Sequence, residues 1–322
     1  MKYLVPSSHV IRQEVKAGCM GSGFIVTQDG YIVTNAHVVY ASDKDLKEML
    51  AQDGLQKIIQ QDMQGLKSEL SGQGYSVPDD VLAKLQRAVI KFYAQHLEVS
   101  NVKQQVYASF GMESRTKGIA CEVCKRGEPA PGKDIAILKA AKENLPVVQL
   151  GDDKALKTGD KIFVLGYPGA ATFNQFLAQD AKLESSFTAG MVSARKTMPE
   201  NWDVLQIDAA ITHGNSGGPV FDEKGSVVGV VTFGSLDEQG SMVQGMNFAI
   251  PVSIVKEFLH DLGVEAKSGE LEQNYRTAVR AYDQGQYEDA LEAFTELHER
   301  VPDFPYVQEF ITEAKENMNK NQ

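Results

Sequence analysis

The sequence predicts a mainly β protein with one helical insertion and a helical tail. Three observations carry that expectation. From about Val102 to Ile250, short β-branched segments alternate with Gly, Pro and Asp turns at fairly even spacing, the texture of an all-β sandwich or barrel pair rather than of alternating strands and helices. Between about Ala41 and Ser100 the apolar period lengthens to three and four residues, the spacing of one helical face. From Val252 onward the pattern is helical.

The elements follow in chain order. Gly21 to Tyr40 reads strand, turn, strand, with Asp29-Gly30 between β-branched runs as the hairpin signal. In the insertion, Leu46, Leu50, Ile58, Ile59, Met63, Leu66 and Leu70 form one apolar face, and Gly72 and Gly74 interrupt it. Leu82, Leu85, Val89, Phe92 and Tyr93 form a second face, so the insertion is expected to be a helical hairpin. Ser76 is the expected N-cap of its second helix, with Asp79 reaching back. The β texture then returns in IACEVC, IAILKA, KIFVLGYP, VLQIDAAI, GSVVGVVTF and MNFAIP. Val252 to Leu262 reads as one helix after Pro251. Past a polar linker around Lys267 to Glu270, Ala278, Gly285, Tyr287, Ala290, Phe294, Leu297 and Pro302 stand at the spacing of a tetratricopeptide repeat. A single repeat does not bury its own face, so this segment is expected to pack on the rest of the chain or on another subunit. The expected organisation is one domain over residues 1–266, with the insertion at 41–100, and a tetratricopeptide-like segment over 267–322.

Composition acts by exclusion. The chain has 322 residues, a net charge of −11 and a pI near 5.1, a balance that disfavours nucleic acid or an anionic membrane as partner. Its three cysteines, Cys19, Cys121 and Cys124, cannot all pair. Cys121 and Cys124 form a CxxC with no second pair at ligand spacing, so no metal site is expected; ordinary thiols come first and a local disulfide next. The N-terminus lacks the apolar run of a signal peptide and no stretch approaches the length of a membrane span. The chain as written reads as cytoplasmic, with a periplasmic or extracytoplasmic site as the alternative if a leader was removed.

Chemistry concentrates in Gly214-Asn215-Ser216-Gly217-Gly218-Pro219. A serine hydroxyl needs a base to become a nucleophile, and the oxyanion it creates needs donors, which a glycine-rich turn supplies as backbone N–H groups. The expected donors are the N–H groups of Gly214 and Ser216. The hexad also fits the nucleophile elbow of α/β-hydrolases, but an elbow feeds a helix. Here Pro219 leads into a strand, a turn at Glu223-Lys224-Gly225 and a second strand. His37 in Thr34-Asn35-Ala36-His37-Val38-Val39 is the candidate base, and Asp134 in Asp134-Ile135-Ala136-Ile137-Leu138 the candidate orienter. The order His37, Asp134, Ser216 differs from that of subtilisins and of α/β-hydrolases.

These segments resemble the trypsin-like serine proteases. Together with Leu150-Gly151-Asp152, Leu165-Gly166-Tyr167-Pro168, Thr188-Ala189-Gly190, Gln206-Ile207-Asp208-Ala209-Ala210 and Asn247-Phe248-Ala249-Ile250-Pro251 they resemble the HtrA/Deg-like branch over roughly residues 17–40 and 102–260. The resemblance implies a chymotrypsin-like fold of two six-stranded antiparallel β-barrels, with His37 as general base, Asp134 as its orienter and Ser216 as nucleophile in the cleft between them. It implies a serine endopeptidase of polypeptide substrates that needs no cofactor, working in protein quality control or regulated proteolysis. By the same resemblance the substrate pocket is Ala210 and Ile211 at its base and Thr232, Phe233 and Gly234 as its far wall. An uncharged base points to small or medium apolar residues before the cut. Three departures stand out: no PDZ domain is read in the tail, the helical insertion lies between His37 and Asp134, and His213 stands where such proteases carry proline. The alternative is a latent protease fold that binds partners, or itself, through the tetratricopeptide-like tail.

Overall fold

The structure, a computed structural model, describes residues 10, 12–110, 118–172, 175–178, 184–236, 238–239, 242–267, 269–302, 304 and 306–320. The reading of the N-terminus and of the polar linker falls partly outside them. The chain divides into two compact units, Met1–Cys19 with Ala41–Gln104, and Met20–Tyr40 with Gln105–Gln322.

The first unit is the helical hairpin. Helix α2 (Asp43–Gly72) follows a four-residue helix α1 (Ala36–Val39) in the chain and is capped by Ser42, whose side chain accepts from the Asp45 N–H. It ends where Gly72 and Gly74 were expected to stop it, with Gly74 at φ +83°. Helix α3 (Asp79–His96) packs its Leu82, Leu85, Val89 and Phe92 face only to partial burial. Its N-cap is Pro78, not Ser76. A cap at Ser76 would put Val77 into the first helical turn directly before a proline, where the proline ring disfavours helical backbone. Pro78 instead sits at φ −59° and ψ 145° and the helix starts behind it, with Asp79 and Asp80 at its positive end.

The second unit opens with β1 (Phe24–Ile25) and β2 (Tyr31–Thr34), joined through Gly30 at φ +100°. Strands β3 (Val106–Ala108), β4 (Ile119–Arg126) and β5 (Ala136–Ala140) complete a five-stranded sheet in the order β1-β2-β5-β4-β3. Strand β5 is apolar almost throughout because both its faces are covered. Ile135 and Ile137 enter one core cluster, while Ala136, Leu138 and Ala140 enter another with Ile32 and Val39. Cys121 and Cys124 lie in β4 without a disulfide, and burial pushes both thiols above their ordinary pKa.

Strands β6 (Lys161–Gly166), β7 (Ser186–Thr197), β8 (Asp203–Ile207), β9 (Pro219–Phe221), β10 (Val227–Leu236) and β11 (Met242–Pro251) close a six-stranded barrel. A four-residue helix α4 (Gly169–Thr172) follows β6. Ile162, Val164, Ile207, Val220, Val231 and Ala249 fill the barrel. Helix α5 (Val252–Asp261) packs Val252, Val255 and Phe258 into the cluster that also takes Val26 and Ile137 from the first sheet and Val204, Val230 and Ile250 from the barrel. The fold is the expected two-barrel class, with one barrel closed and the other a five-stranded sheet among the described residues.

Helices α6 (Glu270–Asp283), α7 (Tyr287–Arg300) and α8 (Val307–Lys320) pack around Ala278, Ala290, Phe294 and Ile311, and Val301, directly before Pro302, caps the second of them. This tail is fastened to the β structure by Glu272, which is only 6% exposed. Its carboxylate accepts from the Val147 N–H (2.9 Å), from Gln28 Nε2 (3.3 Å) and from the Gly269 N–H (2.7 Å). The last bond is the reciprocal half of a capping box at the start of α6. Leaving buried donors without an acceptor costs about 1–3 kcal/mol. Glu272→Ala is therefore expected to lower unfolding stability by about that amount in urea titrations of the full chain, and Glu272→Gln, which keeps an acceptor, by less.

Candidate active site

The strand register brings the site together. Antiparallel pairing of β2 with β5 sets Thr34 opposite Ala136, so the chain leaving β2 passes the chain entering β5. His37 and Asp134 thus meet across a sequence separation of 97 residues. The His37 N–H donates to Asp134 Oδ1 (2.9 Å), and His37 Nδ1 lies 2.6 Å from Asp134 Oδ2. An ionised carboxylate only accepts, so the ring proton sits on Nδ1 and leaves Nε2 as the basic nitrogen. Asp134 is 1% exposed, whereas the His37 side chain keeps 39% of its surface open.

A buried carboxylate needs several partners, and the structure supplies one that the sequence did not reveal, beside a second bond to the backbone carbonyl of the same residue. Thr232 Oγ1 donates to Asp134 Oδ2 (2.8 Å), and Asn35 Nδ2 donates to the Asp134 carbonyl (2.7 Å). Thr232 was expected as a pocket wall. Its buried hydroxyl is committed to Asp134 instead, which removes that side chain from the pocket. Ile211 is likewise turned into the barrel core. Ala210 is exposed, Phe233 stacks on Phe248 at 4.8 Å between centroids, and Gly234 pairs with Asn247. No local sequence signal marks Thr232 or Asn35, because their partners lie 98 and 99 residues away.

Ser216 sits in the tight turn between Thr212 and Gly218. Gly214 has φ +100° and Gly217 φ +86°. A Cβ at Gly214 would collide with the Tyr167 carbonyl, and one at Gly217 with the Ser22 carbonyl, so only glycine fits either position. In a trans peptide the N–H points opposite to the C=O. The His213 carbonyl accepts from the Gly169 N–H (2.7 Å) and the Asn215 carbonyl from the Gly218 N–H (2.9 Å). The N–H groups of Gly214 and Ser216 are therefore turned the other way, and among the described residues neither donates to a protein acceptor. Ser216 Oγ donates to the Thr232 carbonyl (3.2 Å), not to His37. His213 is exposed.

A separate cleft of about 420 Å³ is lined by Lys133, Asp153, Arg195, Trp202 and Glu257, among others. Lys133 pairs with Glu257 (2.8 Å) and Arg195 with Asp153 (3.5 Å), so charge there is largely compensated.

The model of the trypsin-like peptidase domain matches residues 21–230. This chain belongs to that family. Among curated relatives, a probable periplasmic serine endoprotease DegP-like of Pseudomonas putida (strain GB-1) is 29% identical over 255 residues, covering 78% of this chain and 36% of that protein. A protein of the same description from Brucella suis biovar 1 (strain 1330) is 30% identical over 261 residues, covering 79% and 34%. The match thus spans about a third of the length of those relatives. Among solved structures, the HtrA-type protease AlgW with tripeptide aligns over 76% of this chain and 56% of its own at 22% identity, with a TM-score of 0.46. Two residues beyond the matched segment, Thr232→Val keeps the shape of the side chain and removes one donor to Asp134. It is expected to slow fluorophosphonate labelling of the chain about ten-fold, corresponding to about 1.4 kcal/mol, as timed by gel fluorescence.

Proposed function

We propose that this chain is a serine endopeptidase in which Ser216 attacks the peptide carbonyl, His37 acts as general base and then general acid, and Asp134 orients the imidazole. The observation that carries the reading is the His37–Asp134 contact of 2.6 Å beside an otherwise exposed ring. His37 Nε2 takes the Ser216 proton as Oγ bonds to the carbonyl carbon, and the Gly214 and Ser216 N–H groups receive the oxyanion. Collapse breaks the C–N bond, and the imidazolium returns the proton to the leaving amine. Water, deprotonated by His37, then attacks the acyl carbon, and the imidazolium returns that proton to Ser216 Oγ as the acyl C–Oγ bond breaks.

Ala210, Phe233 and Gly234 remain as the pocket, and their lack of charge favours a small or medium apolar residue such as Ala, Val, Leu or Met before the cut. The DegP-like relatives are described as periplasmic, so an extracytoplasmic site is preferred to the cytoplasmic reading, with a role in protein quality control or regulated proteolysis. Among the described residues no helix is long and apolar enough to cross a membrane. The tail helices are the proposed partner-binding or self-association element.

One observation favours a second reading, a latent fold acting as a binding scaffold: Ser216 Oγ donates to the Thr232 carbonyl, a resting rotamer that must turn before attack. A fluorophosphonate probe separates the two. Wild type is expected to label and Ser216→Ala not to, with turnover reduced about 10⁶-fold; no labelling of wild type with or without added peptide establishes the scaffold. In a chromogenic peptide panel, cleavage after apolar residues is expected to exceed cleavage after Arg, and the opposite ranking rejects the pocket assignment.

A further inference from the structure

We propose that Ser22 is a positioning residue for the oxyanion-binding turn, an inference that rests on the serine-endopeptidase reading. Ser22 lies two residues before β1, outside the triad but bonded to the backbone of its serine, and is buried. All of its polar groups are engaged. Its hydroxyl donates to the Gly214 carbonyl (2.7 Å) and accepts from the Tyr167 N–H (2.9 Å). Its N–H donates to the carbonyl of Ser216 (2.8 Å), and its own carbonyl accepts from Thr34 Oγ1 (2.7 Å).

The turn needs such an external hold. Gly214, at φ +100°, has no side chain to restrict rotation of its two peptide planes. Those planes are fixed from outside, by the Gly169 N–H on the His213 carbonyl and by Ser22 on the Gly214 carbonyl. Ser22 acts on both, because the Tyr167 N–H that it accepts lies two residues before Gly169, the first residue of α4. Its single proton is committed to Gly214, so the hydroxyl bond has one direction and holds the carbonyl inward. Without Oγ, the Gly214 carbonyl and the Tyr167 N–H both lose their partner, and the loop and turn it tied together can move apart. The Gly214 N–H then leaves the position where an oxyanion develops, while the His37–Asp134 contact and the substrate pocket are untouched. Ser22 thereby acts on the transition state through Gly214, not on ground-state binding.

The test is Ser22→Ala in the full chain, measured with an apolar chromogenic peptide, with the matching peptide boronate, which adds to Ser216 and places an oxygen at the oxyanion position, and with the matching peptide amide, which forms no adduct. The expected result is a fall in kcat of about 10- to 100-fold with KM changed by less than about two-fold. Boronate affinity is expected to fall by the same factor while amide affinity is retained. Unchanged kcat and boronate affinity, or a parallel loss of amide affinity, overturns the proposal. If Ser22→Ala does not fold, Ser22→Cys, with a much weaker donor, takes its place in the same three measurements, and the same outcomes support or overturn the proposal. A wild-type chain that neither hydrolyses peptide nor binds boronate rejects the endopeptidase reading instead, which keeps the two failures distinct.

Discussion

Asp134 has left water almost completely, and an ion in that position costs several kcal/mol unless its lone pairs are filled. The rest of the structure depends on meeting that constraint. The groups that fill the lone pairs come from different parts of the second unit: His37 from the hairpin side of the first sheet, and Thr232 from β10 of the closed barrel. Satisfying the carboxylate therefore fixes the sheet against the barrel at the point where the chemistry is placed. The apolar cluster built from Val26, Ile137, Val204, Val230 and Phe258 seals the same junction. Hydrophobic burial holds the two layers together without direction, and the carboxylate supplies the direction.

The turn proposed to bind the oxyanion is organised on a different rule. Each N–H is aimed by bonding the carbonyl on the far side of its own peptide, so the donors are set from behind and stay open in front. Positive φ at Gly214 and Gly217 makes the turn possible and also leaves it soft. Order must then come from neighbours in Ser22, Tyr167 and Gly169, which belong to segments distant in sequence.

Much of this was legible in the sequence where the information is local. The Asp29-Gly30 hairpin, the insertion's two helices, the strand after Pro219 and the motifs around His37, Asp134 and Ser216 each announce themselves within a few residues. The parts that were not legible are those whose meaning lies with a remote partner. Thr232 reads as a wall of the substrate pocket until β10 carries its hydroxyl to Asp134. Ser22 reads as a small residue between glycines until Gly214, 192 positions later, arrives beside it. Glu272 reads as a helix-surface acid, although it is the buried fastener of the tail. The cap at Ser76 failed for a local reason, since the proline two residues on outranks a hydroxyl in deciding where a helix begins.

The pairing of β2 with β5 has a consequence for how such a chain can grow. Whatever lies between His37 and Asp134 is a closed excursion that starts and ends on neighbouring strands. The entropy of closing it rises only logarithmically, by about 0.6 kcal/mol for each doubling of its length. A helical hairpin of its own compact unit can therefore occupy that excursion with little loss of stability, provided the two strands still find their register. The site tolerates a large change in sequence distance because its geometry is measured across the sheet and not along the chain.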